Sequence, residues 1–177
     1  MSVPPLALTL GSLALSIISD GFAMSKPLVS LEGYYDLHLF PERDRFDYTV
    51  SETHKASQAM HVMAAIMLGL AFLMSLGNIF FVSMEGSRNT GATRFTVLST
   101  TLVGLGTACY IVAMSTLLKV GLDYKRIADD MPLPTPNAYM EIGATMDIVG
   151  LVSSIMAFIL VTIAVVRTER QGFLRLV

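Results

Sequence analysis

Four windows of this chain run for eighteen residues or longer without a charged side chain: 2–19, 62–84, 95–118 and 148–166. About twenty apolar residues, rising 1.5 Å each, cross a hydrocarbon core of about 30 Å, so each window can be a transmembrane helix. A soluble bundle would need polar outer faces on its helices, and these windows supply none. The expected fold is an all-α membrane protein. It is a single domain over 1–177, a four-transmembrane-helix bundle with spans near 3–22, 58–84, 94–118 and 139–166. Only 15% of residues are charged, too few to cover a soluble surface. The net charge of −2 argues against a nucleic-acid binder, which calls for a basic face. Cys109 is the only cysteine, so no intrachain disulfide is available.

The connections differ in length and character. The first, about 21–57, is long and polar; the second, 85–94, reads EGSRNTGATR, a turn composition. The third carries Pro132, Pro134 and Pro136, which favour an extended path, with Asn137 as a helix N-cap. Arg88 and Arg94 in the short second connection, and Arg167, Arg170 and Arg175 in the tail, place both termini on the cytoplasmic-equivalent side. Pro4 and Pro5 suit a helix start and no basic segment precedes the first window, so it reads as a retained helix rather than a signal peptide. The first 25 residues hold no Lys or Arg, unlike a mitochondrial presequence. Plasma membrane and organellar (mitochondrial) inner membrane both stay open for this multi-pass protein.

In this orientation Asp20, His61, Lys119 and Asp147 fall at one depth near the outer interface. Ionisable groups at membrane depth face a partner or water, so the set reads either as a proton or cation site or as an interfacial polar network. In the second reading Lys119 pairs with Asp147 or Asp20. Asp147 also sits near a helix N-terminus, where the dipole favours a carboxylate. His54 and His61, seven apart, share a helix face, but no second helix supplies a histidine for haem and His38 lies in a loop. No catalytic group, cofactor or metal site is expected, and the chain does not read as an enzyme.

Small residues recur every fourth position at Thr96, Thr100, Gly104 and Ala108, and again at Ala65 and Gly69. Such spacing lets helix backbones approach closely, the main cohesive device in lipid. The first connection is rich in aromatics, with Tyr34, Tyr35, Phe40, Phe46 and Tyr48 as a loop interaction surface. Phe46, Tyr48 and Val50 alternate like a strand, and the segment 28–40 could pair with it across PERDR as a small β-hairpin.

Four helices with internal termini, a large first outer loop with strand character and a smaller second one form an outline that resembles the claudin, peripheral myelin protein and amastin tetraspan superfamily. The resemblance covers the whole chain as topology. It implies a non-catalytic multi-pass bundle with strands in the outer loop. Claudins carry a tryptophan and cysteine signature in that loop. This chain has no tryptophan, and its one cysteine lies in the third window, so no functional residue carries over. The expected function is a structural, assembly or accessory subunit packing against other membrane proteins, in a setting such as a large multi-subunit complex, with lipids as further partners. The alternative is a small proton or ion pathway or transporter through the Asp/His/Lys level.

Overall fold

The computed structural model describes residues 3–31, 35–39, 52–85, 90–129, 138–140 and 142–173. Four helices carry the chain: α1 Val3–Ser25, α2 Glu52–Glu85, α3 Thr90–Asp129 and α4 Ile142–Phe173. Each contains a segment long and apolar enough to cross a membrane: Ala7–Ser25, Glu52–Phe80, Thr96–Asp123 and Ile142–Val166. The protein is an integral membrane protein built as a bundle of four helices. Apolar windows understate the helices, because helix continues into polar sequence wherever no breaker intervenes. The 40 residues of α3 extend about 60 Å, twice the hydrocarbon thickness.

Among the described residues three short strands sit in the connections: β1 Pro27–Leu31, β2 Tyr35–His38 and β3 Ala138–Met140. They form one antiparallel sheet in the order β2-β1-β3. Leu31 opposes Tyr35, and Ser30 opposes both Asp36 and Tyr139. β1 and β2 pair within the segment 28–40, and β1 takes its second neighbour from the third connection; PERDR and the Phe46, Tyr48 and Val50 half of the expected hairpin lie outside the described residues. Residues 138–140 are drawn into this sheet, so α4 starts at Ile142 rather than near 139; Asn137, the expected cap, lies outside the described residues.

The start of α4 is seated on the corner between α1 and β1. A Cβ at Gly143 would lie 2.5 Å from the Pro27 carbonyl oxygen and 2.8 Å from that of Lys26, so only glycine lets the backbones come this close. α2 packs most extensively on α3, and α1 on α4. Between the pairs lies a core of Leu13, Ala64, Leu68, Ala71, Val103, Tyr110 and Ala157.

The α2–α3 seam does not run along the small-residue rows. On α2 the buried positions are Ser57, His61, Ala64, Leu68, Ala71, Ser75 and Asn78, spaced alternately by four and three. On α3 they include Ser99, Val103, Thr107, Tyr110 and Ala113. This is the 3.5-residue period of long helices that stay in register. A four-residue row instead drifts about 40° around the helix at each step. Thr96, Thr100 and Gly104 are accordingly half-buried and Ala108 is exposed, while Ala65 and Gly69 are half-buried beside the seam. Gly104 faces α4, with Phe158 Cε2 3.1 Å from the place of a Cβ. The close approach belongs to Gly106, where a Cβ would lie 2.9 Å from Leu68 Cγ.

Candidate functional site

Hydroxyls and one amide tie the helices together through the membrane region. Ser16 donates to the Gly150 carbonyl at 2.8 Å, Ser57 to that of Ala113 at 3.0 Å and Thr107 to that of Ser154 at 3.3 Å. Toward the other end Ser75 and Ser99 share a hydrogen bond of 2.8 Å, and Asn78 Nδ2 donates to Thr96 Oγ1 at 2.8 Å. Contacts like these contribute on average about 0.6 kcal/mol each between helices in lipid.

One polar group stands apart because every helix contributes to it. Asp20 comes from α1, His61 from α2, Tyr110 from α3 and Asp147 from α4, and none is more than 1% exposed. Their placement follows from the helix ends. Asp20 lies five residues before Ser25 and Asp147 five after Ile142, each about 7 Å inside its apolar segment. The Gly143 contact holds those two ends level. His61, nine residues past Glu52, meets both carboxylates from α2. His61 Nδ1 is 2.9 Å from Asp20 Oδ1 and Nε2 is 3.5 Å from Asp147 Oδ2. The Tyr110 ring stands edge-on to the imidazole, with centroids 5.4 Å apart and planes at 72°. Its hydroxyl lies in reach of both carboxylates without a well-formed hydrogen bond to either. Gly150 makes room for that hydroxyl: a Cβ there would overlap Tyr110 Oη.

Of the four residues expected at one depth, the structure brings together Asp20, His61 and Asp147 and leaves Lys119 out. Lys119 is exposed and forms no ion pair among the described residues. Nine residues of helix turn a side chain by about 180°, so with Tyr110 facing the core, Lys119 faces away. The group also lies inside the bundle rather than at an open interface. Tyr110 was not among the expected site residues. Hydropathy treats it as part of an apolar window, and only a tyrosine in mid-span, whose hydroxyl needs a partner when buried, could have drawn attention to it.

His54 has a separate task from His61 although both lie on one face of α2. Its Nε2 donates to the Leu39 carbonyl at 2.8 Å, and Gln58 Nε2 donates to the same oxygen at 2.6 Å. Leu39, fully buried, thereby anchors the end of β2 to the bundle. Tyr34, Phe40, Phe46 and Tyr48 lie outside the described residues; Tyr35 opens β2, and of its side chain nothing is described.

Asp20, His61 and Asp147 could hold a metal ion, since each offers a ligand atom within 4.8 Å of the others. No family model matches the chain, and comparison with curated proteins finds no relative.

Proposed function

We propose that this protein is a non-catalytic structural or accessory subunit, a four-helix membrane bundle that packs against other membrane proteins. The observation that carries this reading is the enclosure of the Asp20–His61–Tyr110–Asp147 node. It draws one side chain from each helix, and the core beyond it is closed by Leu13, Leu68 and Val103. A transport route would have to pass that apolar layer, beyond which the buried polar groups, Ser75, Ser99 and Asn78 among them, are uncharged. A sealed node instead fixes the order and register of four helices, a use for which buried polar groups are well suited. Ala108, the exposed end of the α3 small-residue row, and the aromatic first connection are the contacts proposed for neighbours.

The claudin-like tetraspan outline belongs to this proposal, resting on four helices and a strand-bearing first connection. The cytoplasmic side is the proposed home of both termini, from the arginines of the second connection and the tail. Purification from membranes in a gentle detergent, with quantitative mass spectrometry of what accompanies the protein, tests the reading. Membrane proteins in fixed stoichiometry are the expected result. A lone, monodisperse monomer across several gentle detergents would overturn it.

A further inference from the structure

The node presents acceptors with almost nothing to satisfy them. Asp20 Oδ2, His61 Nε2, Tyr110 Oη and both oxygens of Asp147 are buried without a hydrogen-bond partner in the protein. With His61 donating from Nδ1 to Asp20, its Nε2 carries a lone pair, as do all three of those carboxylate oxygens. The Tyr110 hydroxyl is the one donor among the five, and it points into the group from a fourth helix. The two carboxylates have no lysine or arginine beside them among the described residues; Lys119 faces outward. A set of this kind lacks an electrophile carrying positive charge.

We propose that the node binds one divalent transition-metal ion of the zinc class. His61 Nε2 and the Asp147 carboxylate are its direct ligands, and Asp20 holds the imidazole through Nδ1. The separation of His61 Nε2 and Asp147 Oδ2, 3.5 Å, is long for a hydrogen bond. It is close to the edge, about 3.3 Å, of a tetrahedron with bonds of about 2.0–2.1 Å. A histidine that gives its second ring proton to a carboxylate has the orientation and tautomer of a metal ligand. Asp20 also offers an oxygen within 4.8 Å of the other ligand atoms, close enough to enter the shell as a third ligand. An imidazole beside carboxylates suits zinc, manganese or iron. Magnesium and calcium prefer all-oxygen shells, and soft monovalent copper prefers sulfur. A dication also balances two carboxylates in a place where unbalanced charge is costly. This inference goes beyond the assembly reading and is independent of it, because it concerns the isolated chain.

The test uses the full-length chain in detergent, stripped with a chelator and titrated with zinc, cobalt(II) and magnesium. One equivalent of zinc should survive desalting, and cobalt should give a d–d absorption band. Zinc at a hundredfold over its Kd should raise the unfolding midpoint by about 5–10 °C, and magnesium should not. His61→Gln and Asp147→Asn should lose the retained zinc, Asp20→Asn should weaken binding about 10–100-fold, and Lys119→Ala should bind as wild type. The wild-type titration is decisive even where a node variant fails to fold. Wild-type protein that retains no zinc and shows no midpoint shift overturns the proposal and leaves the node balanced by protons. Equal zinc retention by wild type and a folded Asp147→Asn variant also overturns it, since the ion would then sit elsewhere.

Discussion

Replacing Gly150 with alanine tests how closely α3 and α4 meet at the node. The new methyl would occupy the place of the Tyr110 hydroxyl and lie 3.0 Å from its Cζ and 3.2 Å from its Cε1. Tyr110 is fully buried, so it cannot swing into solvent to relieve the overlap. Overpacking of this kind costs about 1–3 kcal/mol. Displacing the hydroxyl from beside the two carboxylates removes the node's only donor besides His61 Nδ1, for roughly another 1–3 kcal/mol. Alanine returns about 0.8–1.0 kcal/mol through its better helix propensity. The net expectation is a loss of about 1–5 kcal/mol, read as a lower unfolding midpoint in detergent. In a Tyr110→Phe background the hydroxyl is gone, only ring carbons remain to crowd the methyl, and helix propensity offsets part of that. Gly150→Ala should then fall within about 1 kcal/mol of its parent, and the double-mutant cycle should show coupling of about 1 kcal/mol or more. A Gly150→Ala variant as stable as wild type, or an equal loss in both backgrounds, would refute the placement of Tyr110.

Other substitutions separate the seam from its surroundings. Gly106→Ala should cost about 1–3 kcal/mol, because its methyl meets Leu68, whereas Gly69→Ala and Gly77→Ala, with open space at both positions, should be neutral or slightly stabilising in the same assay. His61→Leu should destabilise by about 3–5 kcal/mol by leaving two buried carboxylates without their partner, while Lys119→Met should stay within about 0.5 kcal/mol of wild type in the same unfolding measurement. In a Cys109→Ser background, Ser30→Cys with Tyr139→Cys should form a disulfide, since the two residues oppose each other across β1 and β3. A protease cut between them would then release fragments only after reduction; fragments that separate without reductant would refute the strand pairing.

Hydropathy made the four crossings legible because the bilayer imposes a length and a charge limit on each segment. The three acidic and imidazole members of the node were visible for the same reason, as charges at the mouths of apolar windows. Helix rotation was not visible. Lys119 and Tyr110 lie on one helix, and nothing in composition says which of them faces inward. The α2–α3 seam was not legible either: small residues at every fourth position wind around the helix, while the 3.5-residue row through Leu68, Ala71 and Ser75 mixes large and small side chains. The sheet joins Ser30 to Tyr139, more than a hundred residues apart, and the apolar alternation that marks strands is absent from three-residue Ala138–Met140. Gly143 and Gly150 had ordinary local context; their roles depend on what another helix or strand brings against them.

The sealed, register-fixing character of the node is tested most directly by reconstituting the purified chain in liposomes and measuring proton and cation flux under an imposed gradient. The expected result is no flux above empty liposomes for wild type and Asp147→Asn alike. Flux through the wild-type chain that disappears in a folded Asp147→Asn variant would contradict it and make the node part of an ion pathway.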